Sequence, residues 1–350
     1  MTVHISDVAA LAGVSRTTVS HAISGKRTVG QDVYARVFKA MDELGYVPSR
    51  SARNLALGRT QILGLLVPDI ANGFFAELAK GVEATAIAAG YNVIIGNTGF
   101  DRERELMYFE MIRSRAVDGI LYAAGSAVES SEIMDAVGDL PLVLVDEELA
   151  DFGGCTVVSD NYDGGRQAAQ FLLSLGHKNA LVLGAPQTLL SGARRAAGFT
   201  EAWKDGGGET VVVELGAFTQ EAGLNGVRLH RAALSSGEIT AIFAVNDLMA
   251  LGAIKRLREL GISVPGQVSV MGFDDIPLAE LTDPGLTTVR QDVGGLGARA
   301  TTLLIDALAE RKALEERHEV QEVQLIRRGT TGPVLRDPKG ATETRGTMPV

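Results

Sequence analysis

Short, unbroken apolar runs alternate with amphipathic stretches along most of the chain, and this rhythm constrains the fold more than any other feature. Four runs occur between residues 62 and 147 and four more between residues 179 and 275. They are ILGLLVPD, YNVIIGNT, DGILYAA and LPLVLVDE in the first set, and NALVLGA, TVVVELG, TAIFAVND and VSVMGFDD in the second. Continuous rather than alternating hydrophobicity indicates parallel strands that helices cover on both faces. The sequence therefore predicts an α/β protein with two consecutive doubly wound halves, divided near residues 159–162.

Two later segments, LTTVRQD and EVQLIRR, also have strand character and could cross back between the halves. We therefore predict an N-lobe of about 61–159 plus 291–320, and a C-lobe of about 160–290 plus 321–332. The tail, 333–350, is polar and unpatterned, which predicts disorder.

Carboxylates or amides follow most of the apolar runs. These strand-end pairs are Pro68–Asp69, Asn97–Thr98, Asp146–Glu147, Asn246–Asp247 and Asp274–Asp275. Ligands of open α/β sheets bind beyond the carboxyl ends of the strands, so two such edges facing each other would form a polar cleft between the lobes. The alternative is that each Asp or Asn caps the helix that follows it.

The segment GVSRTTVSHAISG, residues 13–25, predicts a short helix near the N-terminus. Val19, Ala22 and Ile23 have the spacing of one buried helical face, and Ser15 stands where an N-cap would. The side chains left outside can form hydrogen bonds and none of them is acidic: Arg16, Thr17, Ser20 and His21. Such a face suits a polar or anionic partner.

Two more helices surround this segment in the sequence. Ser6 is positioned to cap a first helix that carries Val8, Ala9 and Leu11, and a third runs from about Gln31 to Leu44. Val33, Val37, Met41 and Leu44 share one face of the third helix, and Gly45 and Pro48 follow as stop signals. We assign residues 1–46 to this helical head, 47–60 to a linker with at most a turn or two of helix, and 61–332 to the α/β body.

Charge is distributed unevenly between head and body. Residues 1–60 contain eight Lys/Arg and four Asp/Glu, a net charge of +4, whereas the other 290 residues carry a net charge of −14. A basic N-terminal part, made of head and linker, on an acidic body indicates that this part meets a polyanion and the body does not.

Several classes of protein are disfavoured by what the sequence lacks. Cys155 is the single cysteine, which fits a reducing compartment, and no secretory signal or membrane-length apolar run is visible, so we predict a cytoplasmic protein. Nucleophile-elbow, phosphate-loop and zinc-protease motifs do not occur, and neither a metal nor a cofactor is predicted. We therefore predict that the chain is not an enzyme.

With these features in place, the sequence closely resembles the lactose-repressor (LacI/GalR) family of bacterial transcription regulators, from about residue 3 to residue 330. The segments that carry the resemblance include ISDVAALAGVSRTTVSHAISG, DNYDGGRQAAQFLLSLGHK and FAVNDLMALGAIKRLRELGISVPGQVSVMGFDD. The resemblance implies a helix-turn-helix head, a hinge, and a two-lobed sensor like a periplasmic binding protein.

For the head, the resemblance implies that residues 15–23 form a recognition helix in the DNA major groove. Arg16 and Thr17 match the main base-reading positions and His21 matches a third, with Ser20 on the same face. Many family members carry Arg where this chain has His21, which leaves the operator sequence open. Ser6, Ser15 and Asn54 would serve phosphates or caps. In the hinge, Leu55 corresponds to a leucine inserted into the minor groove, with Ala52 packing beside it.

For the sensor, the resemblance points to effector-binding residues from both halves: Phe74, Phe75, Asp146, Arg195, Phe218, Asn246 and Asp274. The RAAGF register selects Arg195 rather than its neighbour Arg194, and Asp275 is expected to stiffen its loop instead of touching the ligand. A sugar is the leading effector and a nucleobase, suggested by the Phe74–Phe75 pair, is the alternative.

The implied function is sequence-specific transcriptional control, most simply repression, regulated by a metabolite bound between the lobes. The segment RDPKGATETRGTMPV lacks the leucine heptads with which tetrameric members assemble, so we predict a homodimer on a pseudo-palindromic operator. An exported solute-binding protein is the rival interpretation, and the basic head argues against it.

Overall fold

The computed structural model describes residues 3–24, 27–46, 59–113, 117–126, 128–310 and 312–334. The hinge assignments to Ala52, Asn54 and Leu55 lie outside these ranges, as does the predicted disorder of the tail from residue 335 onward.

The head consists of three packed helices, α1 (Ile5–Ala12), α2 (Arg16–Ser24) and α3 (Gln31–Leu44). Their apolar faces meet in a small closed core of Val8, Ala9, Ala12, Val19, Ala22, Val37, Ala40 and Met41. Gly13 ends α1 in the left-handed conformation (φ 64°), and its N–H donates to the carbonyl of Ala10 at 3.3 Å. A non-glycine residue would be strained there, so glycine sets the turn between α1 and α2.

One prediction for α1, its N-cap residue, is wrong. The helix begins at Ile5 with His4 as the N-cap residue, so Ser6 lies within the first turn and does not cap it. The carboxylate of Asp7 accepts a hydrogen bond from the His4 N–H at 2.8 Å, which stabilises a start earlier than the Ser6 signal suggested. Leu11 is exposed, and Ala12 takes the buried position instead.

The body begins with a parallel sheet and its helices. The elements in chain order are β1 (Ile62–Val67), α4 (Gly73–Ala88), β2 (Asn92–Asn97), α5 (Arg102–Arg113), β3 (Gly119–Tyr122), α6 (Ser130–Val137), β4 (Leu142–Val145) and β5 (Cys155–Ser159). A later strand, β11 (Arg317–Gln321), completes the order β11-β5-β4-β3-β1-β2, in which every pairing is parallel.

The second lobe repeats the pattern. Its elements are α7 (Asn161–Ser174), β6 (Asn179–Gly184), α8 (Leu190–Asp205), β7 (Thr210–Leu215), α9 (Gln220–Leu229), α10 (Arg231–Ser236), β8 (Ala241–Ala244), α11 (Asp247–Glu259), β9 (Ser269–Met271) and α12 (Pro277–Leu281). The four strands pair in parallel in the order β7-β6-β8-β9. All eight apolar runs singled out in the sequence are therefore strands.

The chain returns to the first lobe through β10 (Thr288–Gln291) and α13 (Val293–Glu310), and continues into β11 and β12 (Val323–Ile326), the last strands of the described residues. Strands β10 and β12 pair antiparallel between the two sheets, so both predicted crossing segments are confirmed.

Strands β5 and β11 were not among the strands predicted from sequence. Strand β11, RHEVQ, lies at a sheet edge with exposed or half-buried side chains, so it needs no continuous apolar run.

Helix α13 packs closely on α4 in the first lobe. A Cβ atom at Gly81 of α4 would lie 2.2 Å from the carbonyl oxygen of Gly294, and one at Gly297 would lie 2.6 Å from the carbonyl oxygen of Leu78. Only glycine permits this backbone approach, which fixes the position of α13 against the lobe.

Candidate functional site

A cavity with about 400 Å³ of empty space, part of it open to solvent, lies between the lobes, at the carboxyl ends of both sheets. All seven sequence-predicted effector residues line it: Phe74, Phe75, Asp146, Arg195, Phe218, Asn246 and Asp274. Pro68 and Glu147, which belong to the strand-end pairs expected to form the cleft, also line it. The other lining residues were not predicted from sequence: Asn72, Phe100, Ala124, Leu189 and Ser191.

Arg195 is the most firmly held charged group of the cavity. Its Nε donates to Asn161 Oδ1 at 2.8 Å, and its Nη1 donates to the Val245 carbonyl at 2.8 Å and to Asp274 Oδ1 at 3.1 Å. The guanidinium carbon also lies 4.0 Å from the ring centroid of Phe273. Only 3% of the surface of Arg195 is exposed. Because burial and these contacts hold the planar guanidinium in one orientation, its N–H donors are oriented before a ligand binds.

Its neighbour Arg194 points elsewhere. The side chain is 49% exposed and its Nε lies 2.8 Å from Glu148 Oε2. The structure therefore brings Arg195 and not Arg194 into the cavity, in the register that the sequence suggested.

Asp146 and Asp274 occupy strained backbone conformations at strand ends, with φ angles of 72° and 111°. Such strain in non-glycine residues concentrates at functional sites. Burial raises the pKa of Asp274 to about 6 although the nearby Arg195 lowers it, and burial likewise raises the pKa of Asp146 well above its usual range. The Asp274 carboxylate accepts from Gln291 Nε2 at 2.7 Å, whereas the Asp146 carboxylate accepts no hydrogen bond from any described residue. Asp146 is thus the open polar group of the cavity.

Glu147 joins the two lobes across the cavity wall. Its carboxylate, carried by the first lobe, accepts from the Ser191 N–H at 2.8 Å and the Ser191 hydroxyl at 2.7 Å. It thereby caps α8, whose own N-cap residue, Leu189, supplies no side-chain bond. Burial raises the pKa of Glu147, and the bonds from Ser191 oppose that rise. The sequence marked Glu147 only as a polar strand end, because its partner is distant in the chain.

Two asparagines, Asn246 and Asn72, cap helices and also line the cavity. Asn246 Oδ1 accepts from the Met249 N–H at 2.9 Å, and Asn72 Oδ1 accepts from the Phe74 N–H at 3.1 Å. For Asn246, both alternatives from sequence therefore hold, since it caps a helix and lines the cleft.

Two other strand-end carboxylates stabilise the crossing segments instead of the cavity. Asp275 pairs with Arg290 at 2.6 Å and with Arg328 at 2.7 Å, so the prediction that it stiffens its loop is confirmed. Asp247 is fully buried and accepts from the Thr288 hydroxyl at 2.6 Å.

The aromatic residues differ in how much of each ring a ligand can reach. Phe74 and Phe75 form an edge-to-face pair with centroids 5.1 Å apart, and both are buried in the main core. Phe100 and Phe218 are only half-buried. The rings available for contact with a flat ligand are therefore Phe100 and Phe218 more than the paired phenylalanines.

In the head, α2 presents the predicted polar face. Arg16 and Thr17 are exposed, and Ser20 and His21 are half-buried on the same helix. The Ser15 hydroxyl accepts from the Thr18 N–H at 3.1 Å, which places Ser15 at the N-cap as predicted. The helix therefore offers its N-terminal end and a row of hydrogen-bonding side chains without a nearby carboxylate.

A helix-turn-helix head joined to a two-lobed binding fold defines the class: a DNA-binding regulator with a small-molecule sensor. Residues 4–49 match the family described as "Bacterial regulatory proteins, lacI family", and residues 169–331 match the "Periplasmic binding protein-like domain". The chain belongs to the lacI family of bacterial regulatory proteins.

Relatives and solved structures agree with this assignment. The HTH-type transcriptional repressor PurR of Vibrio parahaemolyticus is 35% identical, with 92% of this chain and 97% of PurR covered. A Lac repressor dimer bound to operator is 25% identical with a TM-score of 0.81, covering 95% of this chain and 100% of that one. The transcriptional regulator CelR in complex with cellobiose is 30% identical with a TM-score of 0.70, covering 94% and 99% of the two chains.

These matches confirm the resemblance, the fold class and the regulatory function predicted from sequence. Since the related proteins are transcriptional regulators, they also support the prediction that the chain is not an enzyme. Within the described ranges, no helix is long and apolar enough to cross a membrane.

Proposed function

We propose that this regulator is a cytoplasmic, dimeric repressor whose affinity for a pseudo-palindromic operator is set by a sugar bound between its lobes. The observation that carries the proposal is the convergence of an ordered guanidinium, Arg195, and a carboxylate without a hydrogen bond from the described residues, Asp146, in one interlobe cavity. Such a pair can bind hydroxyl groups as acceptors and as donors at once.

In this proposal α2 lies in the major groove. Arg16 is positioned to donate two hydrogen bonds to a guanine, and Thr17, Ser20 and His21 contact neighbouring base edges. Ser6, which is exposed near the start of α1, and Ser15 at the start of α2 lie where phosphate contacts would orient the head. The positive charge of head and linker together adds salt-dependent affinity for the DNA backbone.

A sugar fits the cavity better than the nucleobase alternative. The paired rings of Phe74 and Phe75 are fixed edge-to-face inside the core, so they do not form a parallel slot for a planar base. Cellobiose is bound by the related regulator CelR, which supports a carbohydrate of that general kind. A nucleobase remains the second candidate, because Phe100 and Phe218 leave part of each ring open to stacking.

The direct test is a thermal-shift screen of the full-length protein against cellobiose, monosaccharides and nucleobases. We expect a sugar to raise the melting temperature in a concentration-dependent manner, because a ligand that binds only the folded state stabilises it. A shift with a nucleobase and none with any sugar would establish the second candidate. No shift across both classes would remove the cavity from consideration as a binding site for either.

The sugar proposal predicts a pH dependence of binding. Hydroxyl groups that donate to the cavity carboxylates need them ionised, and the pKa of Asp274 is about 6. Affinity for the strongest sugar of the screen should therefore fall about tenfold between pH 7 and pH 5. Isothermal titration across this range measures the effect, and Asp274→Asn should flatten the profile. An affinity that stays constant or rises toward pH 5 would contradict the assignment.

Dimer formation is proposed through the edge of the first sheet. Within the described part of the chain, the outer edge of β2 has no strand partner. Ile94 and Ile95 are exposed on this strand, and Ile87 and Met107 are exposed on the neighbouring helices. An exposed apolar edge strand favours association with another chain.

Light scattering should give twice the chain mass of 36.9 kDa, and Ile95→Lys should shift the mass toward one chain. Val320→Lys, which changes an exposed residue of β11 at the opposite edge of the same sheet, is the matched control and should leave the mass unchanged. A wild-type mass near four chains, or an Ile95→Lys protein that remains dimeric, would contradict this interface.

A further inference from the structure

The junction between the linker and the body is held by one carboxylate, Asp118, which directly precedes β3. Asp118 Oδ1 accepts from the Thr60 N–H at 2.7 Å and from the Thr60 hydroxyl at 2.9 Å, and Oδ2 accepts from the Gln61 N–H at 2.8 Å. These groups are partly buried, so the bonds are shielded from water. A charged acceptor strengthens each of them relative to a neutral one.

Arg59 supplies a second attachment, at the end of α13. Its guanidinium donates to the carbonyl oxygen of Leu308 in the last turn of that helix. Carbonyls in a last helical turn lack partners within the helix, and a cation there also interacts favourably with the helix dipole. Arg59 lies beside the Tyr91 hydroxyl as well, where it opposes the rise in pKa that burial gives Tyr91.

The backbone of Gln61, which Asp118 also holds, is strained. Gln61 has a φ of 56°, in the left-handed region that side-chain-bearing residues seldom adopt. Its carbonyl accepts from the Asn92 N–H at 2.9 Å, which fixes the residue against β2. A conformation of this cost persists only where surrounding bonds hold it, so the direction in which the chain leaves the sensor is specified.

Helix α13 connects this attachment to the effector cavity. At its N-terminus, Asp292 accepts from the Gly295 N–H at 3.0 Å, and the preceding residue, Gln291, donates to Asp274 of the cavity at 2.7 Å. The 18 residues of α13 span about 27 Å at 1.5 Å per residue. The continuous segment from Gln291 through α13 therefore contacts Asp274 of the cavity at one end and Arg59 at the other.

We propose that Asp118 and the Leu308 carbonyl form an anchor that fixes the point and direction at which the linker leaves the sensor, and that Asp118 and Arg59 are positioning residues for operator binding. The proposal rests on the proposed function, because two heads must reach two half-sites at a defined separation. Releasing the anchor lowers the effective concentration of the second head at its half-site without altering either head.

The test compares wild type and Asp118→Asn on two DNA duplexes of equal length. One duplex is selected by the wild-type protein from a random pool, and the other is its scrambled sequence. The amide that this substitution introduces would present N–H groups where the carboxylate accepts them. We expect affinity for the selected duplex to fall at least about tenfold, and affinity for the scrambled duplex to stay within about twofold. Asp135→Asn, at an exposed position of α6 in the described part of the chain, is the matched control and should behave as wild type.

Arg59→Gln is the second variant, because it removes the other attachment and leaves Asp118 intact. The same selective loss is expected, so the proposal stays testable even if Asp118→Asn folds poorly. Equal affinity of both variants and wild type for the selected duplex would overturn the anchor. The anchor would also be overturned if a variant lost affinity equally for both duplexes and had a lowered melting temperature, because this result would indicate a purely structural role. If wild type itself did not prefer its selected duplex, the proposed function would fail instead.

Discussion

Replacing Arg195 by alanine is expected to weaken effector binding by at least about a hundredfold while operator affinity without effector stays within about twofold. Arg195 forms a buried ion pair with Asp274 and two further hydrogen bonds. Removing one partner of a buried pair costs about 3–5 kcal/mol and leaves an uncompensated carboxylate in the cavity. Isothermal titration with the strongest ligand of the screen measures effector binding, and fluorescence anisotropy measures operator binding.

Arg194→Ala is the matched control for this variant. It removes the same charge one position earlier, from a side chain that is half exposed and outside the cavity. Arg195→Lys adds a second comparison, because it keeps the charge and loses the planar fork. If Arg195→Ala still responded at wild-type effector concentrations, or if Arg194→Ala lost the response equally, Arg195 would not be a ligand-binding residue.

A second large effect is expected in the head. Arg16→Ala should remove about 1–3 kcal/mol of base discrimination for each of the two heads in a dimer. Binding to the selected duplex should therefore fall by about 1.5 to 4.5 orders of magnitude, whereas binding to the scrambled duplex should change only through the lost charge. Anisotropy at a stated salt concentration measures both affinities, because phosphate contacts make them strongly salt-dependent.

Arg36→Ala controls for the charge. Arg36 is exposed on α3, so its removal subtracts the same charge from the same head without touching α2. We expect similar small losses for the two variants on the scrambled duplex and a large loss only for Arg16→Ala on the selected one. Parallel losses for both variants on both duplexes would show that Arg16 contacts phosphates and does not read bases.

Much of the fold could be predicted from sequence because parallel strands covered on both faces need continuous apolar runs. Each buried strand such as β3 or β8 consists almost entirely of apolar residues, and this composition distinguishes it from the surrounding helices. Strand β11 carries no such signal, since an edge strand pairs through its backbone and its side chains remain largely exposed. The start of α1 was misplaced for a similar reason, because Asp7 supplies a bond that the Ser6 signal did not reveal.

The cavity could be predicted only in part. Residues that follow strands, such as Asp146 and Asn246, are predictable because strand ends converge at one edge of a sheet. Partners contributed by distant segments of the chain are not predictable, because their positions depend on three-dimensional packing. Glu147 caps the helix that carries Arg195, and Asn161 accepts a hydrogen bond from the Arg195 guanidinium. Both contacts join segments more than thirty residues apart in the chain. The anchor at Asp118 likewise connects residues 58 positions apart.

The coupling between cavity and head is tested most directly by one thermodynamic comparison. The strongest ligand of the screen is titrated calorimetrically into the free protein and into its complex with the selected operator duplex. Coupling of about 1–3 kcal/mol predicts that the two affinities differ by about 5- to 150-fold, and that the ligand changes operator affinity by the same factor. Equal affinities in the two titrations would contradict the account, because a ligand that cannot distinguish bound from free protein cannot regulate it.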